Sequence, residues 1–210
     1  AVTAGLLGIG RIKGIERPAI VTPIPNEKGG HTFLIDSGAS ANAKAKNLLQ
    51  NALLGYNYAK RVRHIAEPKV GLLNIGAEST KGSTEATEAY ELLSKQTWFP
   101  FAGNCEGRDI PTGKFDVVVT DGFTGNVVLK FGEGLGRLFV TMIKDAANRG
   151  GITAKLGALL LKPALKKYMM KKLNYEEEGG APLLGINGTL IISHGASRRR
   201  AIRNAVRLAS

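Results

Sequence analysis

Short apolar segments recur along the chain, and each leads into a small polar loop containing glycine and then into a segment of helical periodicity. These apolar segments are Phe33–Ile35, Val70–Leu73, Asp116–Val119 and Leu190–Ile192. Continuous apolar runs that alternate with helices are typical of strands buried on both faces of a parallel sheet. The pattern therefore predicts an α/β fold, in which a mainly parallel sheet is covered by helices on both faces.

The predicted helices follow the loops, at Lys44–Val62, Ser83–Lys95, Val127–Asn148 and Arg198–Leu208. In such folds the loops after the strands lie at one edge of the sheet, where ligands bind. We therefore expect the loops 36–40, 74–78, 120–126 and 193–197 to line one shared cleft. Each loop alone is also explained as a turn or helix cap, because Asp, Asn, Ser and Gly favour both.

One segment departs from this pattern. From Lys155 to Lys172 there are six lysines and no acidic residue, interleaved with leucine and methionine. Pro163 is expected to interrupt a helix here and to give a bent or two-part hairpin. Such a segment suits a membrane surface or an acidic partner, although a solvated lysine face over a buried leucine stripe explains it equally well. We predict a single α/β domain over residues 1–210, with a basic amphipathic helical excursion at 150–180.

The charge of the chain concerns its partners more than its fold. The formal net charge is +12, from 29 basic and 17 acidic residues, which suits nucleic acid, an anionic membrane or an acidic protein or substrate. Aromatic residues make up only 6% and do not interleave with the basic ones, so a surface for single-stranded nucleic acid is poorly supported. No apolar run reaches the ~20 residues that span a bilayer.

Several kinds of site find no match in the sequence. The histidines and the single cysteine, Cys105, lack the spacing of a zinc site, and no Walker loop, GxSxG elbow or strand-linked GxGxxG is present. We therefore expect neither a metal nor a cofactor. The glycine loops instead suit an oxyanion, because glycine-rich helix starts expose backbone N–H groups that bind phosphate.

The candidate site residues lie in or beside these loops. The candidates for binding phosphate or substrate are Asp36, Gly38, Asn74, Gly76, Asn104, Arg108, Asp121, Gly125, Lys130 and Asn187. The candidate catalytic residues are His194, Lys81 and Asn126. A histidine pKa of about 6.5 suits general acid–base catalysis, although a lone histidine at a strand end is as often structural. Amide side chains can stabilise an oxyanion.

Five strings of residues carry a resemblance to a known family. They are GLLGIGRIKGIERP at 5–18, VGLLNIGAESTKG at 70–82, GNCEGRDIP at 103–111, DVVVTDGFTGNVVLK at 116–130 and GGAPLLGINGTLIISHG at 179–195. In this order and at this spacing, the chain resembles the PlsX family of bacterial phosphate acyltransferases from one end to the other.

The resemblance implies a fold similar to isocitrate and isopropylmalate dehydrogenases and to phosphotransacetylase, in a cytoplasmic homodimer that associates peripherally with an anionic membrane. It implies transfer of a long acyl chain from acyl carrier protein to inorganic phosphate, with the acyl phosphate passing to the acyltransferase PlsY. The basic excursion matches the protruding hairpin of the family. Its expected contacts with membrane or carrier protein are Lys155, Leu159, Lys162, Lys166 and Lys167.

Alternatives to this function are a phosphotransacetylase-like enzyme that uses acyl-CoA and a basic nucleic-acid-binding module. For the acyltransferase we expect direct attack of phosphate on the thioester, because Cys105 has no evident activating histidine in the sequence. The family's DxGAN loop reads Asp36-Ser37-Gly38-Ala39-Ser40 here, with Ser40 in place of asparagine, and Asn42 stands where aspartate is common. The family also carries a GNTGA-type loop before the position of Ala1, so we expect that the chain is the C-terminal two-thirds of a PlsX-like protein.

Overall fold

The computed structural model describes residues 2–165, 179–193, 195 and 197–210 of the 210-residue chain. The helices are α1 (Val2–Gly8), α2 (Ala45–Arg61), α3 (Thr84–Lys95), α4 (Gly122–Arg149), α5 (Gly151–Ala164) and α6 (Arg199–Ala209), with a 3₁₀ helix at Gly107–Thr112. The strands are β1 (Ala19–Pro25), β2 (His31–Ile35), β3 (Val70–Asn74), β4 (Phe101–Glu106), β5 (Val117–Val119), β6 (Ala181–Leu184) and β7 (Ile191–Ile192).

The described strands form one seven-stranded sheet in the order β4-β3-β5-β2-β1-β6-β7. Strands β2, β5, β3 and β4 are mutually parallel, whereas β1, β6 and β7 add antiparallel pairs at the other side. The parallel half holds the loops after β2, β3 and β5 at one edge. The predicted α/β class with a mainly parallel core is confirmed.

The fourth predicted loop lies elsewhere. Because β1, β6 and β7 alternate in direction, β7 runs opposite to β2, and its carboxyl end points to the other edge of the sheet. The hydroxyl of Ser193, directly after β7, donates to the carbonyl of Gly179, which packs against α6. Ser193, the first residue of the predicted 193–197 loop, therefore lies away from the cleft, contrary to the expectation. His194 itself lies outside the described residues.

Most predicted helix boundaries are confirmed to within a residue, but α4 begins at Gly122 rather than at Val127. The cause is Asp121, whose carboxylate accepts hydrogen bonds from the Thr124 N–H and hydroxyl and so caps the helix. The glycine-containing segment that the sequence pattern placed in a loop is thus the first turn of a helix.

Helices α4 and α5 are divided close to residue 150, where the sequence placed the end of one helix and the start of the excursion. The chain turns at Gly150 and Gly151, where Gly151 adopts a φ of +79° that glycine tolerates without strain. Helix α5 instead runs through Pro163, which stands one residue from its end. Helix α5 contacts α4. The rest of the predicted excursion, residues 166–178, lies outside the described residues.

A hydrophobic core lies on each face of the sheet. On the first face α2 and α3 cover the strands, and Gly55 brings α2 so close that a β-carbon there would lie 2.7 Å from Val117. On the second face Cys105, Ile110 and Phe115 pack together with the central strands. Each buried aliphatic or aromatic side chain contributes about 1.5–3 kcal/mol to folding, so both faces stabilise the sheet that carries the loops.

Helix α4 leaves a long apolar surface uncovered by the described residues. Its exposed side chains are Phe123, Val127, Phe131, Leu138, Phe139 and Met142. On α5 the exposed fraction of Leu160 is 82%, and no residue of that helix is buried. Within the part of the chain that the structure describes, no helix is both long and apolar enough to cross a bilayer.

Candidate functional site

A cleft of about 800 Å³ opens at the carboxyl ends of β2, β3 and β5. Its walls come from the loop 41–44, the ends of β3 and β5, and the first turns of α2, α3 and α4. The lining residues are Arg17, Ala41, Asn42, Ala43, Lys44, Leu48, Leu72, Leu73, Ser83, Glu85, Ala86, Thr120, Asp121, Phe123 and Thr124. This is the edge at which parallel α/β sheets hold their ligands.

Three helices begin at this cleft, with Lys44, Ser83 and Asp121 as their N-caps. Each helix start presents backbone N–H groups and the positive end of a helix dipole, which favour anions. The three starts are not equivalent, however. The Ser83 hydroxyl and the Asp121 carboxylate already accept N–H groups of α3 and α4. In α2 the N-cap residue Lys44 caps no N–H with its side chain, the first turn has no acidic residue, and the Asn47 side-chain oxygen accepts from the N–H of Lys44 itself.

The buried side chain of Asp36 holds the loop after β2 in place through hydrogen bonds. Its carboxylate accepts four backbone hydrogen bonds of 2.8–3.0 Å, from Ile20, Gly38, Ala39 and Ser40, and the residue is 1% exposed. Burial raises the pKa of this carboxyl group, and the four N–H groups oppose that rise. Asp36 therefore shapes the cleft edge through the loop, because it is shielded from solvent and its oxygens face backbone donors.

The first turn of α4 is in direct backbone contact with this loop. The Gly122 N–H donates to the Ser40 carbonyl, and a β-carbon on Gly122 would lie 2.5 Å from that oxygen. One turn later, Gly125 meets the Asp36 carbonyl. Asn126 then lies beside Gly38, where a β-carbon would be 3.8 Å from the Asn126 side chain. The structure thus brings together the candidates from the loops after β2 and β5.

Asparagines fix the loop that carries Lys81. The Asn74 amide donates to the Lys81 carbonyl at 2.8 Å, and its oxygen accepts from the Ile75 N–H. From the neighbouring strand, the buried Asn104 amide donates to the Glu78 carbonyl at 2.7 Å. The Oδ1 of Asn104 is buried and has no hydrogen-bond partner among the described residues. Both amides therefore position the loop, and the Lys81 side chain is exposed at its end.

Three other candidates lie apart from these groups. Arg108 pairs with Glu106 at 3.0 Å at the end of β4, and Lys130 pairs with Glu133 at 3.4 Å further along α4. The Asn187 amide donates to the Arg11 carbonyl in the segment that precedes β1. Gly76 belongs to the Lys81 loop, where a β-carbon would meet the Lys81 side chain at 3.1 Å. None of Arg108, Lys130 and Asn187 lines the cleft.

Cys105 is buried beneath the sheet edge. Burial, with a further contribution from Asp109, raises the pKa of its thiol to about 12. The thiolate is the reactive form of cysteine, so this side chain is chemically inert near neutral pH. Its thiol donates weakly to the Glu106 carbonyl at 3.4 Å and otherwise packs with apolar neighbours.

The sequence pattern missed two basic residues of the cleft. The sequence pattern places Lys44 only at the start of a helix. Arg17 lies before β1, in the family-like string at 5–18, and follows no strand or glycine loop. Arg17 is 27 positions from Lys44 in the sequence, and it lies at the cleft only because of the fold. Its guanidinium donates there to the Asn42 carbonyl.

The whole chain, residues 1–210, matches the family model described as "Fatty acid synthesis protein". It is 54% identical over 208 residues to a phosphate acyltransferase of Heliobacterium modesticaldum, covering 99% of this chain and 61% of that protein. It is 48% identical over 210 residues to a phosphate acyltransferase of Synechocystis sp., covering 100% and 60%. The chain thus spans about three-fifths of the length of these curated relatives.

Among solved structures, the chain is similar to EutD phosphotransacetylase from Staphylococcus aureus, with a TM-score of 0.58 and 16% identity over 99% of this chain and 57% of that one. A phosphotransacetylase from Streptococcus pyogenes gives a TM-score of 0.59 and 18% identity, with the same coverage. At these identities the similarity establishes the fold. It confirms the phosphotransacetylase-like architecture that the family resemblance implied.

Proposed function

The chain belongs to the fatty acid synthesis protein family, and on that premise we propose that it is the acyl-transferring part of a phosphate acyltransferase. The reaction would move a long acyl chain from acyl carrier protein to inorganic phosphate, and the acyl phosphate would serve phospholipid synthesis through PlsY. The observation that supports this most is the cleft at which three helices begin, beside two basic side chains. Helix N-termini and cationic side chains both bind a phosphate dianion, through backbone N–H groups and charge-assisted hydrogen bonds.

The proposed step is a direct displacement. A phosphate oxygen attacks the thioester carbonyl, the carbon–oxygen bond forms, the carbon–sulfur bond breaks and the carrier thiolate leaves. Holding both reactants in one cleft removes much of the entropic barrier. An amide donor placed on the tetrahedral oxyanion lowers the barrier by about 2.7–4 kcal/mol. Asn126 is the candidate donor, because its exposed amide stands at the junction of α4 and the loop after β2.

Lys81 is the candidate for protonating the leaving thiolate or for holding phosphate. The asparagine bonds described above hold its loop at the end of β3, next to the cleft wall formed by Leu73 and Ser83. His194 stays a prediction for the same proton transfer, and it lies outside the described residues. A covalent acyl-enzyme on Cys105 is disfavoured by the thiol pKa of about 12.

We also propose a homodimer, in which a second copy covers the apolar surface of α4. That surface extends from Phe123 at the cleft to Met142 far along the helix. Exposed contiguous apolar surface of this extent marks an interaction site in soluble proteins. Measuring the molar mass in solution by light scattering tests the dimer, and a monomer at micromolar concentration would contradict it.

Peripheral contact with an anionic membrane is a separate proposal for α5. Lys155, Leu159 and Lys162 are all exposed on this helix, and Lys166 and Lys167 lie outside the described residues. Lysines near an anionic surface contribute about 1 kcal/mol each, and exposed leucines can enter the interface. Sedimentation with anionic vesicles tests the contact. Unchanged binding after Lys155→Glu and Lys162→Glu together would contradict it.

The experiment for the reaction itself uses full-length protein with inorganic phosphate. Palmitoyl acyl carrier protein and palmitoyl-CoA are supplied in parallel, and acyl phosphate is trapped with hydroxylamine as the hydroxamate. Because hydroxylamine also attacks thioesters directly, each reaction is compared with the same reaction without phosphate, and we expect phosphate-dependent hydroxamate from the carrier-protein substrate. Product from palmitoyl-CoA alone would favour the phosphotransacetylase-like alternative, and no product from either would contradict the proposed function.

A further inference from the structure

Two basic side chains stand on one side of the cleft, where α2 begins. Arg17 and Lys44 both line it, and neither follows from the glycine loops that first indicated a site. Arg17 donates one guanidinium N–H to the Asn42 carbonyl, two residues before Lys44. A guanidinium has five N–H donors in a planar fork, so this bond fixes its position and leaves donors for a ligand.

A buried asparagine connects the backbones that carry the two cations. The Asn47 side chain is 4% exposed; its oxygen accepts from the Lys44 N–H at 3.0 Å, and its amide donates to Glu16 at 2.9 Å. Glu16, next to Arg17, also pairs with Lys46 at 2.7 Å, and these contacts hold its pKa below the usual value. The segment before β1 is thus attached to α2 at the point where both cations reach the cleft.

The acidic residues of the cleft lie with the other two helices. Asp121 caps α4 through Thr124, and Glu85 lies in the first turn of α3, where hydrogen bonds to its own backbone N–H and to Ser83 lower its pKa. Both carboxylates therefore face helix starts that favour negative charge. This arrangement separates the charges, with the cations at the start of α2 and the acids at the starts of α3 and α4.

We propose that Arg17 and Lys44 form the anion-binding wall of the cleft and hold a tetrahedral phosphate group against the first turn of α2. The inference rests on the proposed function, because it assigns that reaction's phosphate chemistry to particular residues. The group is either the inorganic phosphate that attacks or the phosphodiester of the pantetheine arm of the acyl donor. A planar fork and an ammonium group suit either one, through charge-assisted hydrogen bonds.

The test uses Arg17→Gln and Lys44→Gln in the full-length protein. The matched controls are Lys13→Gln, which removes a charge from the same segment outside the cleft, and Lys95→Gln at the far end of α3. Since the structure gives Arg17 a hydrogen bond to the loop, Lys44→Gln is the variant that tests the wall even if Arg17→Gln fails to fold. Steady-state rates are measured against phosphate and against palmitoyl acyl carrier protein separately.

We expect each cleft variant to raise the KM for phosphate about tenfold or more, with kcat within about threefold of the wild type, and the controls to be unchanged. A rise in the KM for the acyl donor alone would assign the wall to the phosphodiester of the arm. If neither KM rises beyond the controls, the proposed wall is wrong, while the proposed function stands.

A binding measurement separates failure of the wall from failure of the function. The melting temperature is recorded with phosphate and with chloride at equal ionic strength, in the absence of any acyl donor. If the wild type is inactive but gains stability from phosphate, and both variants lose that gain, the wall is supported without the reaction. An inactive wild type that phosphate does not stabilise would overturn both.

Discussion

The backbone of Gly125 in α4 lies so close to the carbonyl oxygen of Asp36 that no β-carbon fits between them. A methyl group there would also approach Thr120 at 2.9 Å. This contact joins the two loops that form one wall of the cleft, and it sets how close the start of α4 comes to the loop after β2. The position of Asn126 beside Gly38 depends on it.

Gly125→Ala should therefore destabilise the protein, by about 2 kcal/mol or more, since backbone must move to admit the methyl group. Gly132→Ala on the same helix is the control, because a β-carbon there meets nothing within 4 Å. Alanine favours a helix interior over glycine by about 1 kcal/mol, so the control should gain stability. Denaturant unfolding of both variants measures the difference, and equal stabilities would show that the close contact is absent.

Asp36→Asn should disrupt the loop after β2 although it preserves size. A carboxyl group can accept hydrogen bonds at both oxygens, even when it is protonated, whereas an amide can accept at its single oxygen only. In the asparagine variant the NH₂ group would therefore face either the Ser40 N–H or the three N–H groups that bind the other carboxylate oxygen. An unsatisfied buried polar group costs about 1–3 kcal/mol. The melting temperature should fall accordingly, while Asp145→Asn on the exposed part of α4 should leave it unchanged.

Cys105 should be unreactive in the folded protein. With a thiol pKa of about 12, the thiolate is about one part in ten thousand at pH 8, against about a quarter for a free thiol. Alkylation should thus occur only after unfolding. Cys105→Ala should retain turnover and lose about 1–2 kcal/mol of stability through the cavity it leaves. A folded but inactive Cys105→Ala protein would contradict direct attack by phosphate.

Asn104 should act through Lys81 rather than on the substrate. Asn104→Ala frees the Glu78 carbonyl and loosens the loop, so we expect kcat to fall about tenfold. In a double-mutant cycle, Lys81→Ala with Asn104→Ala should be no slower than Lys81→Ala alone. Fully additive losses would instead show that Asn104 contributes independently of the lysine.

The sequence predicted the parallel strands β2, β3 and β5 because they are largely buried, and buried strands appear as continuous apolar runs such as Val70–Leu73. It did not predict β4, whose residues are only partly buried. It also predicted that Asp36, Asn126 and Lys81 lie near one sheet edge. What it missed depends on contacts distant in sequence. The reversed direction of β7 follows from its pairing with β6, and nothing in its two residues specifies that direction.

The basic residues of the cleft illustrate the same limit. Arg17 reaches the cleft because Glu16 binds Asn47 and Lys46 on α2, and this pairing of distant segments leaves no local pattern. Asn74 and Asn104 show a related limit of the sequence. They carry the right chemistry for an oxyanion, but their amides hydrogen-bond to carbonyls of the Lys81 loop, and only the fold reveals those acceptors.

The most direct test of the central claim is the release of carrier-protein thiol from palmitoyl acyl carrier protein by the full-length protein, followed with and without phosphate. We predict release that depends on phosphate and saturates with it, with one acyl phosphate formed per thiol. Equal release without phosphate would indicate simple thioester hydrolysis, and no release from folded protein would contradict the proposed acyl transfer altogether.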